Sequence, residues 1–87
     1  MNSPSLVTIK KKVIHNIATI SGFKDSDIFE VQDLRVDLGM SDDLRGALAP
    51  GFQVIARQTN SAALLTKKEC KQLKTVKNSI DLVHKRA

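Results

Sequence analysis

The stretch Asp37-Leu38-Gly39-Met40-Ser41-Asp42-Asp43-Leu44 decides how this chain is read, because it is where a loop hands over to a helix. Ser41 is a good N-cap: its hydroxyl can accept one of the N–H groups that the first helical turn leaves unpaired. Asp42 and Asp43 then fall in that first turn, where the positive end of the helix dipole favours negative charge.

Downstream, Leu44, Leu48, Phe52 and Ile55 continue as a helical stripe, with Ala47 and Val54 beside it. Pro50 interrupts it, since inside a helix it removes one backbone hydrogen bond and clashes with the carbonyl of Gly46. Gly46 and Gly51 weaken the segment further. The expectation is either a kinked helix or two short ones, over 42–49 and 51–58, followed by a turn at Thr59-Asn60-Ser61. A short helix from Leu65 to Leu73 is capped by Thr66, with Glu69 at the capping-box position. A last helix spans about Thr75 to Lys85 and buries Val76, Ile80 and Val83. His84-Lys85-Arg86 closes it, where positive charge suits the dipole.

Upstream, a helix is predicted from about Pro4 to Ile20, with Ser3 as its cap and Pro4 in its first turn. Leu6, Ile9, Val13, Ile17 and Ile20 share its core face, Lys10-Lys11-Lys12 point to solvent, and Gly22 suits a left-handed C-terminal cap. Residues 23–40 read as a long ordered loop in which Phe23, Ile28, Phe29, Val31, Leu34, Val36 and Leu38 alternate irregularly with acids. Asp25 or Ser26 can cap a short turn over Asp27–Val31, and the apolar residues suggest that the loop packs across the helices. No segment alternates with period two. The class is all-α, with three main helices and at least one short one in a single domain, 1–87.

Composition narrows the function classes. A chain of 87 residues, 41% apolar, has too little interior for an enclosed catalytic site of ordinary size. It contains no apolar run near the roughly 20 residues of a membrane span, and Met1-Asn2-Ser3-Pro4-Ser5 lacks the order of a secretory signal. The single cysteine, Cys70, permits no internal disulfide. These features read as a soluble, cytoplasmic monomer without catalytic activity. Residues 1–43 hold five Lys/Arg and seven Asp/Glu, net −2, whereas residues 44–87 hold nine and two, net +7. All seven early acids lie between residues 25 and 43. A basic C-terminal half can serve nucleic acid, an anionic surface or an acidic protein partner. Cys70 reads as a small core residue, and His15, His84 and Cys70 lack the spacing of zinc ligands.

The succession of long helix, long acidic-apolar loop, Asp-Leu-Gly at a helix start, second helix, short helix and closing helix resembles an acyl carrier protein. The resemblance is carried by Thr8-Ile9 with Val13 and Ile17, Gly22-Phe23-Lys24 and Ile28, Asp37-Leu38-Gly39, Leu65 through Leu73, and Thr75-Val76 with Ile80-Asp81. It runs without a gap over about 8–39 and 65–83. It implies a small four-helix bundle with a long loop after the first helix. It also implies an acyl cargo held as a thioester on a 4′-phosphopantetheine arm, joined to a serine in an Asp-Ser-Leu motif.

Here the pattern departs. Aligned without a gap, Asp42 takes the serine's place and Ser41 the aspartate's; with one added residue, Asp43 replaces the serine. A carboxylate cannot form the stable phosphodiester, so the arm is either absent or on Ser41, displaced by one step of about 100° around the helix. Gly39, Ser41, Asp42 and Asp43 are therefore the candidate cofactor residues. The helix that follows is acidic in the family and docks on basic partner surfaces. Here Leu44, Arg45 and Arg57 are the candidate docking residues, and Lys67, Lys68, Lys71 and Lys74 make the next helix basic too.

Three functions follow. One is a specialised carrier modified on Ser41 by a phosphopantetheinyl transferase, serving acyl-transferring or biosynthetic enzymes with acidic docking surfaces. Another is a carrier fold that has lost the arm and acts as a protein-binding or regulatory module. The third is a basic nucleic-acid binder, disfavoured because the chain has no Tyr or Trp on which bases stack.

Overall fold

The computed structural model describes residues 5–87. Five α-helices follow one another: α1 (Leu6–Ser21), α2 (Asp42–Gly46), α3 (Ala49–Arg57), α4 (Lys67–Lys71) and α5 (Val76–Arg86). The loop between α1 and α2 contains a single 3-10 turn, Asp25–Asp27, which starts earlier than the expected Asp27–Val31 and places Asp25 and Ser26 inside the turn instead of at its cap. The chain is mostly helical, an all-α small bundle. Among the described residues the one extended pairing is an isolated antiparallel bridge between Asp33 and Thr75.

The expected Ser3 cap and the first-turn role of Pro4 lie outside the described residues. Helix α1 begins at Leu6 with Ser5 in the N-cap position, and Gly22 closes it in the left-handed conformation at φ 85°, its N–H on the Ala18 carbonyl. Ile9, Val13 and Ile17 are buried as their spacing predicts. Leu6 is not: it stays half exposed at the open end of the helix, and Ala18 fills the inner face at the other end.

The segment after Ser41 resolves into two helices. Pro50 falls in the first turn of α3, where its missing N–H has no partner to lose. Ala47 and Leu48 keep right-handed helical torsions between the two helices, so the chain bends there without unwinding. The bend redistributes the predicted stripe. Leu48, Phe52 and Ile55 enter the core, but Leu44 is 38% exposed on α2, Val54 is 62% exposed, and Ala47 faces out.

Helices α1, α3 and α5 pack against one another in a three-helix core, while α2 packs on α4. Phe52, Ile17, Leu34, Met40, Leu48 and Ile80 are its largest fully buried side chains. Where α1 meets α3, Gly51 leaves room for the Asn16 side chain, since a Cβ there would sit 2.2 Å from Asn16 Oδ1. In that space Asn16 Nδ2 donates to the Leu48 carbonyl at 3.2 Å.

The loop over 23–40 packs as expected through Ile28, Leu34 and Leu38, whereas Phe23, Phe29, Val31 and Val36 remain exposed. Backbone bonds anchor it to the start of α5. Leu34 N–H donates to Lys74 O at 2.8 Å, Val76 N–H to Gln32 O at 3.1 Å, and Lys77 N–H to Glu30 O at 3.0 Å. With the Thr75 hydroxyl accepting Asn78 N–H, the first three donors of α5 are all satisfied. Thr66 and Glu69 form the predicted capping box on α4, although that helix is shorter than the expected 65–73.

Candidate functional site

The approach to Ser41 is built by two aspartates four residues apart. Asp33 Oδ1 accepts the N–H groups of Arg35 (2.9 Å) and Val36 (2.8 Å), the geometry of an Asx turn. Asp37 Oδ2 accepts Asp33 N–H at 2.7 Å, while the Asp33 carbonyl receives the N–H groups of Asp37 and Leu38. The Val36 amide, together with that of Arg35 and the charges of Lys74 and Arg45, holds the Asp33 carboxyl below the ordinary carboxylate range. Gly39 then turns the chain at φ 65°, a conformation that side chains with a Cβ rarely adopt. Met40 N–H returns to Leu34 O at 2.9 Å, and the Met40 side chain is fully buried.

Ser41 follows as the N-cap of α2, exposed, with its Oγ accepting Leu44 N–H at 3.3 Å. No acceptor for its own hydroxyl proton lies among the described residues. Asp42 and Asp43 occupy the first turn as predicted. Asp42 pairs with Arg45. Gly39, Ser41, Asp42, Asp43 and Leu44 therefore stand together at the surface where the loop meets α2.

Arg45 departs from its expected docking role. Its side chain is nine-tenths buried. Nε donates to Lys71 O at 3.1 Å, Nη1 to Met40 O at 3.0 Å, and Nη2 to Asp42. The guanidinium fork fits three acceptors at once, and so it ties α2 to the end of α4 from within. Arg57 stands apart at the end of α3, where Nε donates to Ala63 O at 2.8 Å and braces the turn that follows. What α2 shows to solvent is Asp42, Asp43 and Leu44. The cations Lys67, Lys68 and Lys71 are carried by α4 instead.

Asp33 is the residue shaping this loop that spacing alone did not single out. Its signal is Asp33-Leu34-Arg35-Val36-Asp37, an Asx-turn former with a second acid four residues on. Cys70 is fully buried, and burial pushes its thiol up to about 11, as befits a core residue. A groove of about 510 Å³ between α1 and α3, bordered by Lys11, Lys12, Gly51 and Val54, contains none of the predicted site residues. No described helix is long and apolar enough to cross a membrane. No family model, curated protein or solved structure matches the chain.

Proposed function

We propose that the chain is an acyl-carrier-protein-like helical module without the phosphopantetheine arm, working by binding a protein partner. The observation that carries this is the use of residues 40–45 as an internal fastening. Ser41 is spent as the cap of α2, while Asp42, the residue in the family's serine position, is paired to a buried Arg45 that also holds the Met40 carbonyl. The three packed long helices, the long anchored loop and the short α4 support the carrier-like architecture. Asp42, Asp43 and Leu44 then form one docking face and the lysines of α4 another.

A second reading has its own support. Ser41 is exposed and its hydroxyl proton is unengaged, which leaves it open to a phosphopantetheinyl transferase that tolerates the displaced serine. Intact mass after incubation with coenzyme A and transferases of broad specificity separates the two. The arm-less module predicts no adduct on the wild type. A phosphopantetheine adduct that disappears in Ser41→Ala would establish the specialised carrier instead.

A further inference from the structure

Four cations converge where the loop, α2 and the end of α4 meet. Arg35, Arg45, Lys71 and Lys74 line a cleft of about 300 Å³, with Asp33 and Val36 on its loop side. Arg45, nine-tenths buried, is already matched by Asp42. Arg35, Lys71 and Lys74 have no carboxylate within 4.0 Å among the described residues, which pair Lys10, His15, Lys77 and Arg86 instead. The single acid in the cleft, Asp33, turns Oδ1 to the Arg35 and Val36 amides, and its one negative charge, felt by Lys74 and Arg45, leaves the cations of the cleft in excess.

The backbone that carries these cations is anchored. The Lys74 carbonyl is held by Leu34 N–H, and the Arg35 amide by Asp33. Lys71 lays its aliphatic stem on the bare Cα of Gly46, where a Cβ would come 3.0 Å from its Cε and 3.3 Å from its Cγ. Arg45 engages three of its five N–H donors, leaving two. Clustered like charges repel across a concave surface, and a polyvalent anion removes that repulsion while accepting several charge-assisted hydrogen bonds.

We propose that this cleft binds the phosphate or diphosphate group of a small soluble ester. A dianion with several acceptor oxygens matches two guanidinium and two ammonium groups better than a carboxylate does. The cleft's volume lies at the small end of ligand sites. A nucleic acid would need an extended basic track and stacking aromatics, whereas this cleft is local and the chain has no Tyr or Trp. The site is independent of whether Ser41 carries an arm, because none of its ligating groups comes from Ser41.

The test is a titration of 15N-labelled full chain with inorganic pyrophosphate at constant ionic strength, with acetate as the control anion. Saturable shifts are expected at the amides of Arg35, Val36 and 71–74, with a dissociation constant on the order of 1 mM or tighter. Lys71→Gln/Lys74→Gln, checked for native circular dichroism, weakens binding at least tenfold, while Lys67→Gln/Lys68→Gln leaves it within twofold. Shifts that do not saturate, that acetate reproduces, or that depend equally on both lysine pairs overturn the site. Binding of a single-stranded oligonucleotide at least tenfold tighter than pyrophosphate, abolished by the same Lys71/Lys74 pair, also overturns it in favour of a polymer.

Discussion

Arg86, in the last turn of α5, grips both carboxylate oxygens of Glu69 on α4 while Nη1 also donates to Leu64 O at 2.8 Å. Glu69 is at the same time the acid of the α4 capping box, its Oε1 accepting Thr66 N–H at 3.3 Å. One carboxylate thus starts a short helix and fastens it to the end of the chain's last one. The Arg86 guanidinium, followed by the Thr66 amide, pulls the Glu69 carboxyl down to about 2 from its ordinary 4.5.

That lowering fixes the sign of an acid effect. A carboxyl depressed on folding stabilises the native state fully above its unfolded value, and the contribution fades as pH falls from about 4.5 to about 2. The pair is about one-third exposed, so solvent screening reduces its worth to about 1 kcal/mol. Glu69→Gln should lose about that much at pH 7 in urea unfolding and lie much closer to wild type at pH 2.5. An equal loss at both pH values would mean that packing, not charge, is responsible.

Cys70 should behave as an inert core thiol. With its thiol raised to about 11 by burial and, less strongly, by the Glu69 charge, little thiolate forms at neutral pH. Maleimide labelling of the native protein is expected to proceed only through unfolding, accelerating with urea along the unfolding curve. Fast labelling without denaturant would show that α4 opens on its own.

Gly46 and Gly51 should answer oppositely to the same substitution. At Gly46 an added Cβ meets only the flexible Lys71 stem and the Lys67 Cβ, so Gly46→Ala should stabilise by about 0.5 kcal/mol through reduced chain entropy. At Gly51 the new atom would fall 2.2 to 2.6 Å from three atoms of the Asn16 amide. Gly51→Ala is expected to destabilise by about 2 kcal/mol, and adding Asn16→Ala should recover part of that loss. Thermal unfolding of the three variants checks the contrast.

Arg45 and Arg57 look interchangeable by charge, but their settings differ. Removing Arg45 strips donors from the Met40 and Lys71 carbonyls and leaves a gap under α2, so Arg45→Ala should cost about 2–3 kcal/mol. Arg57 is exposed and supports one carbonyl; its loss should cost about 0.5–1 kcal/mol. Urea denaturation of the two alanine variants should separate them clearly.

What the sequence made legible follows from local chemistry. Thr66 with Glu69, Ser41 before α2 and Gly22 after α1 each act within three or four residues, and each stands where its pattern places it, whereas Thr75, read as the first residue of the last helix, is its cap. The core stripes of α1 and α5 were readable for the same reason. The fate of Arg45 was not, because its acceptors include the Lys71 carbonyl, 26 residues away. A basic residue after two acids resembles a solvated surface charge until the fold brings that carbonyl alongside. The cleft of Arg35, Arg45, Lys71 and Lys74 was hidden likewise, since it exists only where the loop crosses the end of α4. Leu44 misled in the opposite direction: it continues the stripe of Leu48, Phe52 and Ile55 in sequence, but it belongs to α2, which packs on α4, and is left exposed, while Val54, one helical step from Ile55, faces out of α3.

The carbonyls of Gln32 and Glu30 complete the beginning of α5 from more than 40 residues upstream. This makes the closing helix conditional on a distant part of the chain. In native-state hydrogen exchange, the amides of Val76 and Lys77 should be protected together with Leu34, as one cooperative unit rather than as a fraying helix end. A fragment beginning after residue 40 would lack those acceptors, and its last helix would unravel from its first turn.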